Sequence, residues 1–411
     1  MTTFSLRQWD SRANPHFKNK PCYWSVFNHE TSQSAVFYYK HDALVYRQLL
    51  PHATVYFHWY EEEFSRLDVS IEPSESHDKL CRQRAQELRD TYKYLRLWFS
   101  GGADSQTALD SFVNNNIFLD EIVVAEHLDG DNNQDITTST KREIVLAAMP
   151  ALKKIAHLIP NTKIRVIKAT VNDADEWFNG SDQTTNMSLF DSMDGDLTFA
   201  LDSAWAFSKL NQETTLDDFC DISGGSKVKL FRNKDRWYFY WADSSLGNMY
   251  NSNHCEDFFI SRTIPNLYLK TVYMLKQFFI NQKFTDNQIN DFYTDVKMNR
   301  EYNLAMGRSW VPDISTFKLY LVTHDPALWQ DKFISGWNSQ AFYKNTINTE
   351  QGQRWKKNFD NSVRAALSIA KDQWNLDSMG NPVPSLGRKG HLSKFYCLND
   401  GRAYDSVDAK K

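Results

Sequence analysis

Tyr94-Leu95-Arg96-Leu97-Trp98-Phe99-Ser100-Gly101-Gly102-Ala103-Asp104-Ser105 decides how this chain is read. Its first six residues have the form of a short buried strand, and Ser105 to Asn114 reads as a helix. A loop of small residues is thus set between a strand and a helix. Two consecutive glycines let the backbone turn sharply and let an anion approach the main chain. The N–H groups of the loop and of the helix N-terminus then face that anion. Ser100 and Ser105 add hydroxyl donors. Asp104 carries negative charge towards a phosphate, which makes sense chiefly when Mg²⁺ lies between them.

Neither G-x-x-x-x-G-K-[ST] nor G-x-G-x-x-G occurs, so hydrolysis at a γ-phosphate by the usual machinery is not indicated. The S-G-G-x-D-S form, in its strand-to-helix setting, resembles the pyrophosphate loop of the PP-loop ATP pyrophosphatase superfamily. The likeness is close over the loop and looser over about residues 94 to 170. It implies an α/β fold of the HUP type that binds ATP with Mg²⁺. In that family the loop holds the β- and γ-phosphates as a pyrophosphate leaving group. A substrate oxygen attacks the α-phosphate, and an amine, ammonia or sulfur nucleophile then displaces AMP. Carried over, Gly101, Gly102 and Ala103 supply N–H groups, Ser100 and Ser105 hydroxyls, and Asp104 the metal ligand. Asp104 and Ser105 are the residues expected to matter most to the chemistry.

The departures narrow the branch. Cysteine pairs typical of thiolation enzymes are absent, and Phe395-Tyr396-Cys397-Leu398 does not match the cysteine motif of sulfonucleotide reductases. Thr2 stands where a glutamine-dependent asparagine synthetase carries its catalytic cysteine. The general look is similar to asparagine-synthetase-like proteins of tailed bacteriophages.

Outward from the loop, Glu121 to Glu126 and Lys163 to Lys168 read as further strands, with a long helix from Thr138 to Ala156 between them. Such alternation predicts a parallel sheet with helices on both faces and a ligand beyond the carboxyl ends of its strands. A hairpin is expected from Lys227 to Phe231, turning at Asn233-Lys234-Asp235 into Trp237 to Trp241. Before this lies a β-rich region, residues 1–75, with aromatic runs at Cys22, Ser34 and Ala53, and then a helix from Ser76 to Lys93. The nucleotide-binding part spans residues 76–265 and is followed by a mostly helical region, 266–379; an extended tail 380–411, punctuated by Pro382, Pro384, Gly387 and Gly390, wraps the surface or is partly mobile.

Other candidates are weighed against plainer readings. Ser223, Gly224, Gly225 and Lys227 form a second small-residue loop that would add N–H groups and a cation for pyrophosphate; the alternative is a glycine turn into the hairpin. His127 or Asp129 would touch the nucleoside, or belong to a solvated acidic loop. Lys297, Arg300 and Arg308 would close over the triphosphate, or form a solvated face. Trp355, Lys356 and Lys357 would face RNA, though no recognition motif accompanies them.

The chain has 411 residues, 41% hydrophobic and 24% charged, with a net charge of -4. This is a globular composition without a basic field for non-specific nucleic-acid binding. No apolar run approaches the roughly 18 residues that cross a bilayer. Met1-Thr2-Thr3-Phe4-Ser5 lacks the form of a signal peptide, so the cytoplasm is expected, that of the host if this is a phage protein. Five scattered cysteines argue for reduced thiols. The leading expectation is an ATP-dependent synthetase or ligase that adenylates a carboxylate or carbonyl oxygen of an acceptor the sequence does not specify. The alternatives are a PP-loop enzyme modifying a nucleic-acid base or tRNA, and a nucleotide-binding protein without turnover.

Overall fold

The computed structural model describes residues 22–38, 43, 46–50, 52–126, 144–168, 170, 218–224, 229–241, 255–281, 283–287, 289, 349–355, 357 and 393–405. In chain order the elements are β1 (Cys22–Asn28), β2 (Gln33–Phe37), β3 (Ala53–Trp59), α1 (Glu61–Ser65), α2 (His77–Thr91), β4 (Tyr94–Trp98), α3 (Ala103–Val113) and β5 (Glu121–Glu126). They continue as α4 (Met149–Ile155), β6 (Lys163–Lys168), β7 (Phe219–Ser223), β8 (Lys229–Asn233), β9 (Arg236–Tyr240), β10 (Cys255–Asp257), α5 (Pro265–Asn281), β11 (Phe395–Cys397) and β12 (Ala403–Tyr404).

The expected parallel sheet is present, with strand order β10-β7-β4-β5-β6. Its two faces differ in chemistry. Leu95, Leu97, Ile122, Val124, Cys220 and Ile222 share one core with the buried sides of α2, α3 and α4. Helix α2 starts where Ser76 accepts a hydrogen bond from the Lys79 N–H at 3.2 Å, and it buries Leu80, Ala85 and Leu88 at helical spacing. The alternate residues of the strands carry charge. Arg96 is paired in register with Glu121 of β5 and Asp221 of β7, and each is at most 1% exposed. The Arg96 guanidinium donates to Asp221 at 2.8 Å, and the Trp98 indole donates to the same carboxylate at 2.9 Å. Glu121 meets Arg165 of β6 at 2.7 Å and accepts from the Tyr94 hydroxyl at 3.1 Å. The described helices of this core all meet the apolar face.

A second core joins distant parts of the chain. The antiparallel sheet β2-β1-β3 turns Trp24, Val26, Phe57 and Trp59 inward. They meet Phe239 and Trp241, one side of α5 (Tyr268, Leu269, Val272, Phe279), and Tyr396. The β8–β9 hairpin turns at Lys234 and Asp235 with φ of 48° and 65°, both left-handed, as the tight turn matching strand twist requires.

Residues 393–405 differ from the expected surface wrap. Strand β11 lies inside a four-stranded sheet of order β12-β11-β9-β8, and Phe395, Tyr396 and Cys397 are buried. Pro382, Pro384, Gly387 and Gly390 led to the tail reading, but the apolar run Phe395-Tyr396-Cys397-Leu398 behaves as a strand core. The described part of the 138–156 helix also differs in kind. It is a π-helical turn, Ile144–Ala148, followed by α4 and a short 3₁₀ turn, Ala156–Leu158. All five cysteines are buried and none forms a disulfide. Among the described residues, no helix is long and apolar enough to cross a membrane.

The first turn of α1 contributes a pH-dependent term. Burial alone would raise the Glu61 carboxyl pKa, but hydrogen bonds from His58 and Lys394 outweigh it and hold it at about 2, below its ordinary 4.5. A carboxylate depressed on folding stabilises above its unfolded pKa and loses that contribution as pH falls through the folded value. The window therefore runs from 4.5 down to about 2. We expect Glu61→Gln to cost up to about 3 kcal/mol more at pH 7 than at pH 2.5. Urea unfolding of both proteins at the two pH values tests this, and an equal difference at both would refute it.

Candidate functional site

Strand β4 is the switch point of the parallel sheet. β5 and β6 lie on one side of it, β7 and β10 on the other. In such sheets the chain segments leaving the carboxyl ends diverge at this point and open a crevice. The segment leaving β4 is the Ser100–Ser105 loop. It leads directly into α3, whose N-cap is Gly102, with no side chain capping the helix. The first N–H groups of a helix have no intrahelical acceptor, so those of Ala103 to Ser105 point out of the helix end.

Gly101 is buried with φ of +68°, the left-handed region that suits glycine. A Cβ there would lie 2.7 Å from the Ala148 nitrogen and 2.9 Å from the Ala147 carbonyl carbon. Its missing side chain therefore admits the π-helical turn. Turns of that kind recur at functional sites. Gly102 has φ of -79° and ψ of 163°, extended backbone open to any residue.

The two serines divide their work. The Ser105 hydroxyl is buried and donates to the Gly102 carbonyl at 3.0 Å. It also lies 3.3 Å from both the Ser100 N–H, which donates to it, and the Ser100 hydroxyl. With its one proton committed inward, Ser105 holds the loop's shape. Ser100 is exposed at the rim, and its hydroxyl accepts from the Gly102 N–H at 3.3 Å.

The structure brings part of the second small-residue loop to this place. Gly224 follows Ser223 at the carboxyl end of β7, and a Cβ on it would lie 3.3 Å from the Asp104 backbone carbon and Cβ. The same position lies 3.3 Å from the ring of Phe259. Two glycine-bearing segments from neighbouring strands thus meet at one residue, Asp104, at its backbone and Cβ. Asp104 is half-buried in the first turn of α3, where a negative charge complements the helix dipole. A second anion there requires a cation beside the carboxylate. Among the described residues no three His, Cys, Asp or Glu side chains gather as a metal site. One carboxylate completed by phosphate oxygens fits the way Mg²⁺ is held beside nucleotides.

Gly225 and Lys227 lie outside the described residues, as do His127, Asp129, Lys297, Arg300, Arg308 and Lys356. Trp355 is a core residue at 1% exposure, and Lys357 is exposed. Sequence reasoning missed Phe259, Asp221 and Ala148. The only local trace was the small pair Ala147-Ala148, which permits close backbone approach.

A scan against protein-family models finds no match, and no curated protein shows significant similarity to the chain.

Proposed function

We propose that the loop Ser100–Ser105 binds ATP and cleaves it between the α- and β-phosphates, so that the chain activates an acceptor as its adenylate. The observation that carries this reading is the meeting of the β4 and β7 loops, at the sheet's switch point, on Asp104.

In this reading the N–H groups of Ala103 and Asp104, with the Ser100 hydroxyl, take the β- and γ-phosphates. Ser105 keeps the loop in the required shape. An acceptor carboxylate or carbonyl oxygen attacks the α-phosphorus, the α–β bridging bond breaks, and pyrophosphate leaves with the bond's electron pair. Asp104 would hold Mg²⁺, which would supply positive charge against the negative charge gathering on that leaving group. An amine or ammonia then displaces AMP and gives a ligase outcome. The missing Walker lysine supports cleavage at this bond rather than at the γ-phosphate.

Binding is tested first, with the α,β-methylene analogue of ATP in isothermal titration. Tight binding that needs Mg²⁺ is expected. Turnover is tested with ATP, Mg²⁺ and a panel of carboxylate acceptors and amines, with products separated by chromatography. AMP and pyrophosphate are expected; ADP and phosphate would sink the proposal. Asp104→Ala, with an unchanged circular dichroism spectrum, is expected to lower AMP formation by about 100-fold or more. Unaltered turnover in that variant removes the loop from the mechanism.

A further inference from the structure

The outer face of the β2-β1-β3 sheet carries a constellation that the nucleotide reading does not use. On β1, the Ser25 hydroxyl lies 2.7 Å from Nε2 of His58 on β3. The other ring nitrogen, Nδ1, is hydrogen-bonded to Glu61 at the start of α1. The second carboxylate oxygen of Glu61 pairs with Lys394. A carboxylate only accepts, so Nδ1 carries the proton; in the neutral imidazole the Nε2 lone pair then faces the Ser25 hydroxyl. Serine, imidazole and carboxylate therefore stand in line with the tautomer that general-base activation needs. Such triads are recognised by geometry and roles, not by chain order or fold.

Two further features hold the imidazole in place. Tyr23 stacks on the His58 ring, with centroids 4.4 Å apart and planes 9° from parallel. Tyr60, between β3 and α1, has φ of 47°, a left-handed conformation that is costly for a bulky residue. That turn brings Glu61 back beside the residue three positions earlier. Strain of this kind clusters where a protein fixes reacting groups. The flanks are apolar and aromatic: in register, Ser25 lies between Val36 and Tyr56. Ser25 is 7% exposed and Tyr56 39%, so the nucleophile is shielded beside an accessible ring.

We propose that Ser25, His58 and Glu61 form a second catalytic site, a serine esterase centre for small carboxylic esters with apolar acyl groups. Ser25 Oγ bonds to the ester carbonyl carbon while its proton passes to His58 Nε2. The bond from that carbon to the alkoxy oxygen breaks, and the alkoxide takes the proton from Nε2 and leaves as alcohol. Water, activated by the same nitrogen, then cleaves the acyl-serine to carboxylic acid and free Ser25. Glu61 and Tyr23 are positioning residues.

The full chain is treated with diisopropyl fluorophosphate and mapped by mass spectrometry, and p-nitrophenyl acetate turnover is followed in parallel. One diisopropylphosphoryl group on Ser25 is expected, with fluoride released. Ser25→Ala should abolish the adduct, and His58→Gln should slow labelling by about 100-fold or more while circular dichroism stays unchanged. Glu61→Gln should slow labelling, and Glu61→Asp, which keeps the carboxylate, should restore part of the rate. No adduct on Ser25 of the folded native chain overturns the proposal. So does labelling that is indifferent to His58→Gln. The native-chain arm stands even where a variant fails to fold.

Discussion

Gly101→Ala is expected to destabilise the protein by about 2–5 kcal/mol, combining left-handed backbone strain with overpacking. The new methyl would sit 2.7 Å from a backbone nitrogen of the π-helical turn. Backbone cannot swing aside as the end of a long side chain can. Either the loop or the turn must shift, and both border the proposed phosphate site. Nucleotide binding should therefore weaken along with stability. Gly102→Ser is the informative partner. Its backbone is extended at φ of -79°, and serine is a better helix cap than glycine, so stability should hold or rise slightly. Urea denaturation of the two variants measures the contrast. Equal stabilities would mean that the close approach at Gly101 is not a constraint.

Asp221→Ala has a comparable expected cost, about 3–5 kcal/mol, because it removes the carboxylate that takes the buried Arg96 guanidinium. The hydrogen bond from the Trp98 indole to that carboxylate goes in the same step. The pair is weak evidence for stability in itself, since desolvating two charges offsets most of their attraction. Arg96→Met combined with Asp221→Leu should therefore recover most of the loss. A denaturation cycle over the single and double variants reads this directly. A double variant as unstable as Asp221→Ala alone would contradict the account. The pair also bears on the site, because Asp221 stands two residues before Ser223 at the mouth of the crevice.

What could be read in advance was what is local. The strand, the glycine loop and the helix after it occupy consecutive residues, and each announces itself by apolar spacing or by small residues at the turn. The edges agree closely: β5 and β6 have the limits that the sequence implied. What could not be read joins residues far apart. Phe259 lies beside Gly224 because β10 pairs with β7, and Gly224 approaches Asp104 because β7 pairs with β4. Arg96 looks like a surface residue between two leucines until register sets it opposite Asp221 and Glu121. Ser25 and His58 each occupy an outward position of an ordinary strand. Only the three-residue step from His58 to Glu61 hints at a relation, and it leaves the serine unnamed. The apolar run at Phe395 was outweighed by the prolines and glycines before it, because punctuation is counted locally and burial is not.

Strand β11 has a consequence for how the molecule comes off the ribosome. The Leu398 N–H donates to the Trp237 carbonyl at 2.8 Å, across most of the second half of the chain. Until that segment is synthesised, the sheet edge at β9 has no partner there, and Phe239 and Trp241 lack the cover that Tyr396 gives them. At roughly 5–20 residues per second, the interval lasts on the order of ten seconds or more. The parallel sheet needs nothing beyond β10 to pair its strands, so it can form during elongation. The edge at β9 must wait, as a nascent surface open to chaperones and to mispairing with other chains.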